Sequence, residues 1–154
     1  MGQQRDFRNA MKSLAHQVCA YSESTNVSWP LFTLPLFESY AEDILKQSNL
    51  EAIAMAPYLR NDQQETWIQY ANAPRKKWVE DSHVIRQGNL DRLKPAGYNP
   101  FITRPSPNGF VPDISEREYY FPMWSFSPAP ATYGAVNWNV AAEPDFAPVI
   151  EDML

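Results

Sequence analysis

One cysteine, two histidines and five glycines are all that this chain of 154 residues contains of three residue types that often carry chemistry. A lone Cys19 cannot close an internal disulfide, so no disulfide framework holds the fold, and a buried inert thiol is expected. His16 and His83 have no carboxylate at ligand spacing, so neither metal binding nor histidine-based catalysis is expected. The glycines are scattered singly, which excludes a phosphate-cradling loop, and no Gly-x-Ser-x-Gly nucleophile elbow is present. Positive charge is also short: the net charge is -5, so nothing resembles a nucleic-acid footprint. Arg75, Lys76 and Lys77 form the one basic cluster, and a solvated helix face explains them. No apolar run approaches the roughly 20 residues that span a bilayer. The first residues are polar and lack a signal-peptide core, and Asp6 stands where a myristoylation signal needs Ser or Thr. The chain is therefore expected to be soluble as written and to carry no address. No cofactor and no enzymatic activity are expected.

Apolar and aromatic residues are plentiful, at 44% and 14% of the chain. That composition supports one globular domain with a real core. The richest stretch is Tyr119-Tyr-Phe-Pro-Met-Trp-Ser-Phe-Ser-Pro-Ala-Pro130, followed by Ala135-Val-Asn-Trp-Asn-Val140. Aromatic and β-branched enrichment on both sides of a Pro-rich turn predicts two strands. Asn137 and Asn139 would alternate onto one face of the second strand. Amides among aromatics suit a small-molecule pocket, but an ordinary solvent-facing strand carries the same pattern and is the favoured reading of the two. On the first reading the ligand-binding residues are Tyr58, Tyr120, Trp124, Asn137 and Asn139.

Phe7, Met11, Leu14, Val18 and Tyr21 recur at steps of four and three, predicting a helix over residues 3–24 with a short heptad seam. The seam fits an amphipathic helix lying on its own domain or a dimer stalk. On the second reading a charge at Leu14 weakens dimerisation. Residues 22–26 favour a turn. Asn26-Val-Ser28 is a glycosylation sequon, meaningful only if the segment reaches a secretory lumen.

A second helix is expected to open at Thr33, Leu34 and Pro35, with its apolar face at Phe37, Tyr40, Ala41, Ile44 and Leu45. Leu50–Leu59 reads as a strand. Asp62 and Glu65 have capping-box spacing for a third helix bearing Trp67, Tyr70 and Ala71, broken at Pro74 and continued over 75–86. Residues 89–113 form a long Pro-rich loop, with Phe101 and Ile102 as a short strand and a lid role available. A last helix runs from Asp145 to Leu154, with Phe146, Val149, Ile150 and Met153 on one side. Glu38, Glu42 and Asp43, and Glu116 and Glu118, read as solvated acidic faces. The order implies an α+β fold with helices on an antiparallel sheet.

Four segments resemble the CHASE-like extracellular sensor domains of diatom and other algal receptor-type class III nucleotide cyclases. Asn26-Val-Ser-Trp-Pro-Leu-Phe-Thr-Leu-Pro-Leu-Phe-Glu38 is similar to that family's entry to its second helix. Ala54-Met-Ala-Pro-Tyr-Leu59 with Gln64-Glu-Thr-Trp67 is similar to its Pro-ended strand and Trp-bearing helix. Tyr120-Phe-Pro-Met-Trp-Ser-Phe-Ser-Pro-Ala-Pro130 is similar to its "Pro-Val-Trp-Gln-x-x-Pro" strand. Val136-Asn-Trp-Asn-Val140 with Glu143-Pro-Asp-Phe146 is similar to its "Val-Asn-Phe-Asn" strand and exit helix. The likeness covers roughly residues 20–154. It implies a PAS-like sensor over 27–154 on a stalk helix over 1–26, outside a membrane. It further implies a small-molecule ligand, a homodimer, and membrane contact only through flanking spans. Nothing in the chain corresponds to those spans or to the cyclase domain, so no cyclase residue carries over. The alternative is a non-catalytic soluble interaction or structural domain; a small hydrolase is a distant third reading.

Overall fold

The computed structural model describes the backbone over residues 2–73, 101–127 and 135–154, with side chains from Phe7 onward. The helix expected over 75–86, the cluster Arg75-Lys76-Lys77, His83, the break at Pro74, most of the Pro-rich loop and the turn at 128–134 lie outside the described residues.

The first helix, α1, spans Gly2–Ser24. Leu14 is buried, and Met11, Val18 and Tyr21 pack beside it against the chain's own core. Much of the heptad seam is thus covered within one molecule. Tyr21 ends the helix as a shared acceptor: the Ser24 and Thr25 hydroxyls donate to its carbonyl at 3.0 and 2.7 Å. Asn26 follows in the left-handed region at φ 49, a conformation asparagine tolerates better than most residues.

Helix α2 runs over Phe37–Gln47. It begins later than the sequence suggests, and Pro35 precedes it. The reason lies in Thr33, whose hydroxyl accepts from Trp124 Nε1 at 2.8 Å and lies 2.8 Å from the Tyr70 hydroxyl. Those tertiary bonds fasten the segment to the core ahead of the helix. Leu36, at φ 58, then turns the chain into the helix. Phe37 and Ala41 bury one face. Glu42 and Asp43 face solvent near Lys46, at 3.4 and 4.0 Å. Glu38 does not join them; it is buried, a correction to the solvated face read from spacing.

The expected strand over 50–59 is split into β1 (Ile53–Met55) and β2 (Leu59–Arg60). A 3-10 turn over Asn61–Gln63 leads into α3, Gln64–Asn72. Its entry is closed by Gln63, whose Oε1 accepts from the Arg60 N–H at 3.0 Å, rather than by the Asp62–Glu65 box. Beyond 101 come the hairpin β3 (Thr103–Ser106) and β4 (Gly109–Pro112), then β5 (Tyr119–Tyr120), β6 (Ser125–Ser127) and the short helix α4, Ala147–Glu151. Gly109 takes φ 115, which only glycine adopts freely, and so makes the hairpin turn possible.

Three antiparallel ladders pair β1 with β6, β2 with β5, and β3 with β4. The first two form one ribbon with a bulge. Between the paired stretches, residues 56–58 oppose residues 121–124, three against four. Residues 135–140 are not the regular strand expected there. A 3-10 turn over Val140–Ala142 follows, and Asn137 has φ 66. The segment still bridges two layers. Asn137 N–H donates to the Met123 carbonyl at 2.8 Å, while Thr103 N–H donates to the Asn137 carbonyl at 2.9 Å. The left-handed residue ends the alternation, so Asn137 and Asn139 meet different partners.

Helices and small antiparallel ladders together make the chain α+β. Its core has two clusters. One gathers Leu59, Trp67, Ile102, Tyr120, Trp124 and Val136; the other gathers Leu14, Phe32, Leu34, Phe37 and Ile53, and Met55 touches both. The expected apolar side of the last helix is mostly outside: Ile150 is buried, whereas Phe146, Val149 and Met153 are exposed. Cys19, too, is exposed rather than buried. Among the described residues, no helix is long and apolar enough to cross a membrane.

Candidate functional site

Asn139 is fully buried and sits where three chain segments meet. Its Oδ1 accepts from the Phe121 N–H at 2.9 Å and the Ala141 N–H at 3.2 Å. Its Nδ2 donates to Asp113 Oδ2 at 2.9 Å. An amide supplies both acceptor and donors, which a carboxylate or an aliphatic side chain cannot. Asp113 is equally hidden, and Arg117 Nε donates to the same Oδ2 at 3.0 Å. Its Oδ1 accepts from the Ser115 N–H at 3.2 Å, an Asx-turn that sets the course of residues 113–116. Burial alone pushes the Asp113 carboxyl upward. The hydrogen bonds from Asn139 and Ser115, with the Arg117 charge, outweigh it and hold the group below its ordinary 3.8.

This anchored loop forms one wall of a cleft of about 370 Å³. The other lining residues include Asn61 from the 3-10 turn, Gln64 and Ile68 from α3, and Phe101 and Ile102 before β3. Tyr120 lies at the junction, its hydroxyl donating to the Ser115 carbonyl at 3.1 Å. Phe101 and Ile114 offer apolar surface to an occupant, both being well exposed. Asn61, Gln64 and Glu116 offer polar groups. Apolar walls with a few orienting polar groups are what a small organic ligand requires. No lysine or arginine is among the described lining residues, so the cleft suits a neutral or cationic molecule better than an anion.

The five ligand-binding residues expected from sequence do not form one pocket. Tyr120 alone lines the cleft. Trp124 is buried and donates to Thr33, and it packs edge-on against Trp67 with ring centroids 5.2 Å apart. Asn137 is buried and accepts from Trp67 Nε1 at 3.0 Å. Asn139 is engaged as described. Tyr58 lies elsewhere, in a partly exposed cluster with Tyr119 and Phe121 at centroid distances of 6.2 and 5.5 Å. The β-strand geometry that grouped these residues fails because Asn137 is left-handed and the ribbon is bulged.

Sequence reasoning missed Asp113, Arg117 and Thr33. A usable signal existed for one of them: Asp113-Ile-Ser115 has the spacing of an Asx-turn. The lining residues Asn61, Gln64, Phe101, Ile114 and Glu116 come from three separate segments, with no common motif. Among the described residues, no group of three His, Cys, Asp or Glu side chains is placed to hold a metal. Comparison of the chain with known protein families, curated proteins and solved structures finds no match.

Proposed function

We propose that this chain is a ligand-sensing domain of the CHASE-like, PAS-like kind. It belongs on the outer side of a membrane receptor, upstream of a nucleotide cyclase output domain, and performs no catalysis itself. The observation that carries the reading is the cleft of about 370 Å³ beside Tyr120, with mixed apolar and polar walls. Support also comes from where the four resembling segments lie. Pro30, Phe32, Phe37, Pro57, Trp67, Trp124, Val136, Asn137 and Asn139 are buried, so much of each motif belongs to the packed framework, while Trp29, Pro35 and Phe146 are exposed.

A ligand shifts output only through unequal affinity for two arrangements of the receptor. The loop 113–116 and the start of α3 face each other across the cleft, so an occupant bridging them favours the arrangement in which they are close. Helix α1 packs on the sensor and is the natural lever to a dimer partner.

The test is a thermal-shift screen of the chain against neutral and cationic small organic molecules, with Phe101→Ala and Gln64→Ala in parallel. A ligand at about 100 times its Kd adds roughly 2.7 kcal/mol of stability. In a domain of this size that raises the melting temperature by about 5–10 °C. Shifts lost in both variants support the cleft; shifts retained in both remove it.

A second reading, a non-catalytic interaction domain, is favoured by the partly exposed ring cluster Tyr58, Tyr119 and Phe121. Loss of partner capture on Tyr58→Ala, with ligand shifts absent, would select it.

A further inference from the structure

The sequence contains one Asn-x-Ser/Thr triplet without proline at its centre, Asn26-Val27-Ser28. The structure sets it on the outside of a turn. Asn26 and Ser28 are both exposed, while Val27 between them packs on the core cluster of Leu14, Phe32 and Phe37. Val27 therefore pins the turn, and its two neighbours face solvent. The Asn26 N–H closes the end of α1 on the Glu23 carbonyl at 3.3 Å. Its side-chain amide makes no hydrogen bond among the described residues, so a substituent there breaks none.

The bland account of Asn26 is conformational. Its φ of 49 is a helix-ending position that asparagine and glycine both tolerate. That account explains the asparagine but not an exposed Ser28 two residues on. We propose that Asn26 is the acceptor of an N-linked glycan, an inference resting on the reading that this domain faces the secretory lumen and then the cell exterior.

The donor is a lipid-pyrophosphate-linked oligosaccharide. Asn26 Nδ2 forms a bond to the anomeric carbon, and the bond from that carbon to the pyrophosphate oxygen breaks. The lipid pyrophosphate leaves with the electron pair, and Nδ2 loses one of its two protons. Nothing is oxidised or reduced. The glycan would stand at the junction of α1 with the rest of the chain, and Asn26 is not among the lining residues of the Tyr120 cleft, which come from residues 61–68 and 101–120. It would shield the α1 end.

The experiment directs the whole chain into the lumen of a eukaryotic cell behind a cleavable secretory leader. Gel mobility is compared before and after an amidase that releases N-glycans and leaves aspartate at position 26, and mass spectrometry reads that residue. One glycan is expected on the wild-type chain and none on Asn26→Gly or Ser28→Ala. Asn26→Gly keeps the left-handed turn, and Ser28→Ala keeps the asparagine, so both fold and both lose the modification. An unmodified wild-type chain from the lumen overturns the acceptor. The protein taken from its own cells separates the two claims. If it is modified, both stand; if only the leader-directed chain is modified, the extracellular reading falls.

Discussion

Trp67 Nε1 donates to Asn137 Oδ1 across 3.0 Å, and both side chains are buried. This bond ties α3 to the segment that joins the ribbon and the hairpin. Asn137→Ala strands the indole N–H, at about 1–3 kcal/mol. It also leaves an alanine at φ 66, where a Cβ without a compensating amide adds roughly 1–2 kcal/mol. Asn137→Gly should lose the first quantity and not the second. Denaturant unfolding of the pair is therefore expected to find alanine the less stable; equal losses would mean the backbone strain is absent.

Asn139→Asp places a second carboxylate against Asp113, where the amide now donates at 2.9 Å. Two buried like charges cannot both stay ionised cheaply. The variant should be much less stable than wild type at neutral pH, and the deficit should narrow toward pH 4 as one carboxyl takes a proton. Melting temperatures across pH 4–8 measure this. A deficit independent of pH would show that Asn139 matters through shape alone.

Asp113 itself makes an acid-limb prediction. Its folded pKa lies below the ordinary 3.8, so the stability it contributes is present above that value. That contribution is lost as pH falls through the depressed folded value. Asp113→Asn should be less stable than wild type at pH 7 and should lose less on acidification below about pH 4. Unfolding at several acidic pH values checks the sign. Curves that stay parallel would assign the acid limb to other carboxylates.

Leu14 is 5% exposed within a single chain. Leu14→Ala should cost about 2–5 kcal/mol of folding stability. The loss should be the same at low and high protein concentration, because the contacts are intramolecular. A loss that grows on dilution, with sedimentation showing a dissociating dimer, would favour the stalk reading of the seam.

Trp124→Phe keeps the ring packing against Trp67 and removes the donor to Thr33 at 2.8 Å. A cost of about 1–3 kcal/mol is expected in urea. Thr33→Val should remove much of that difference, since it deletes the acceptor as well. Additive losses in the double variant would mean that the two groups do not interact.

Local physics in the sequence determined α1, α3 and the body of α2. The 3.6-residue rhythm of α1, the apolar face of α2 and the Trp67-Ile68-Tyr70-Ala71 run of α3 are short-range patterns that any helix with one buried face must carry. The α+β class followed from the same patterns, as did the aromatic core. The site was legible only in Tyr120. Long-range bonds, which leave no local pattern, decided the rest. Thr33 is fastened to Trp124 and Tyr70, and α2 starts only at Phe37. Asn137 turns left-handed, so the two amides that looked like neighbours on one strand face serve separate partners, Trp67 and Asp113. The cleft is assembled from α3, from the approach to β3 and from the Asp113 loop, which Asn139 and Arg117 help to fasten. Alternation along a strand could not foresee this, because a bulge and one positive φ are enough to reassign every side chain that follows.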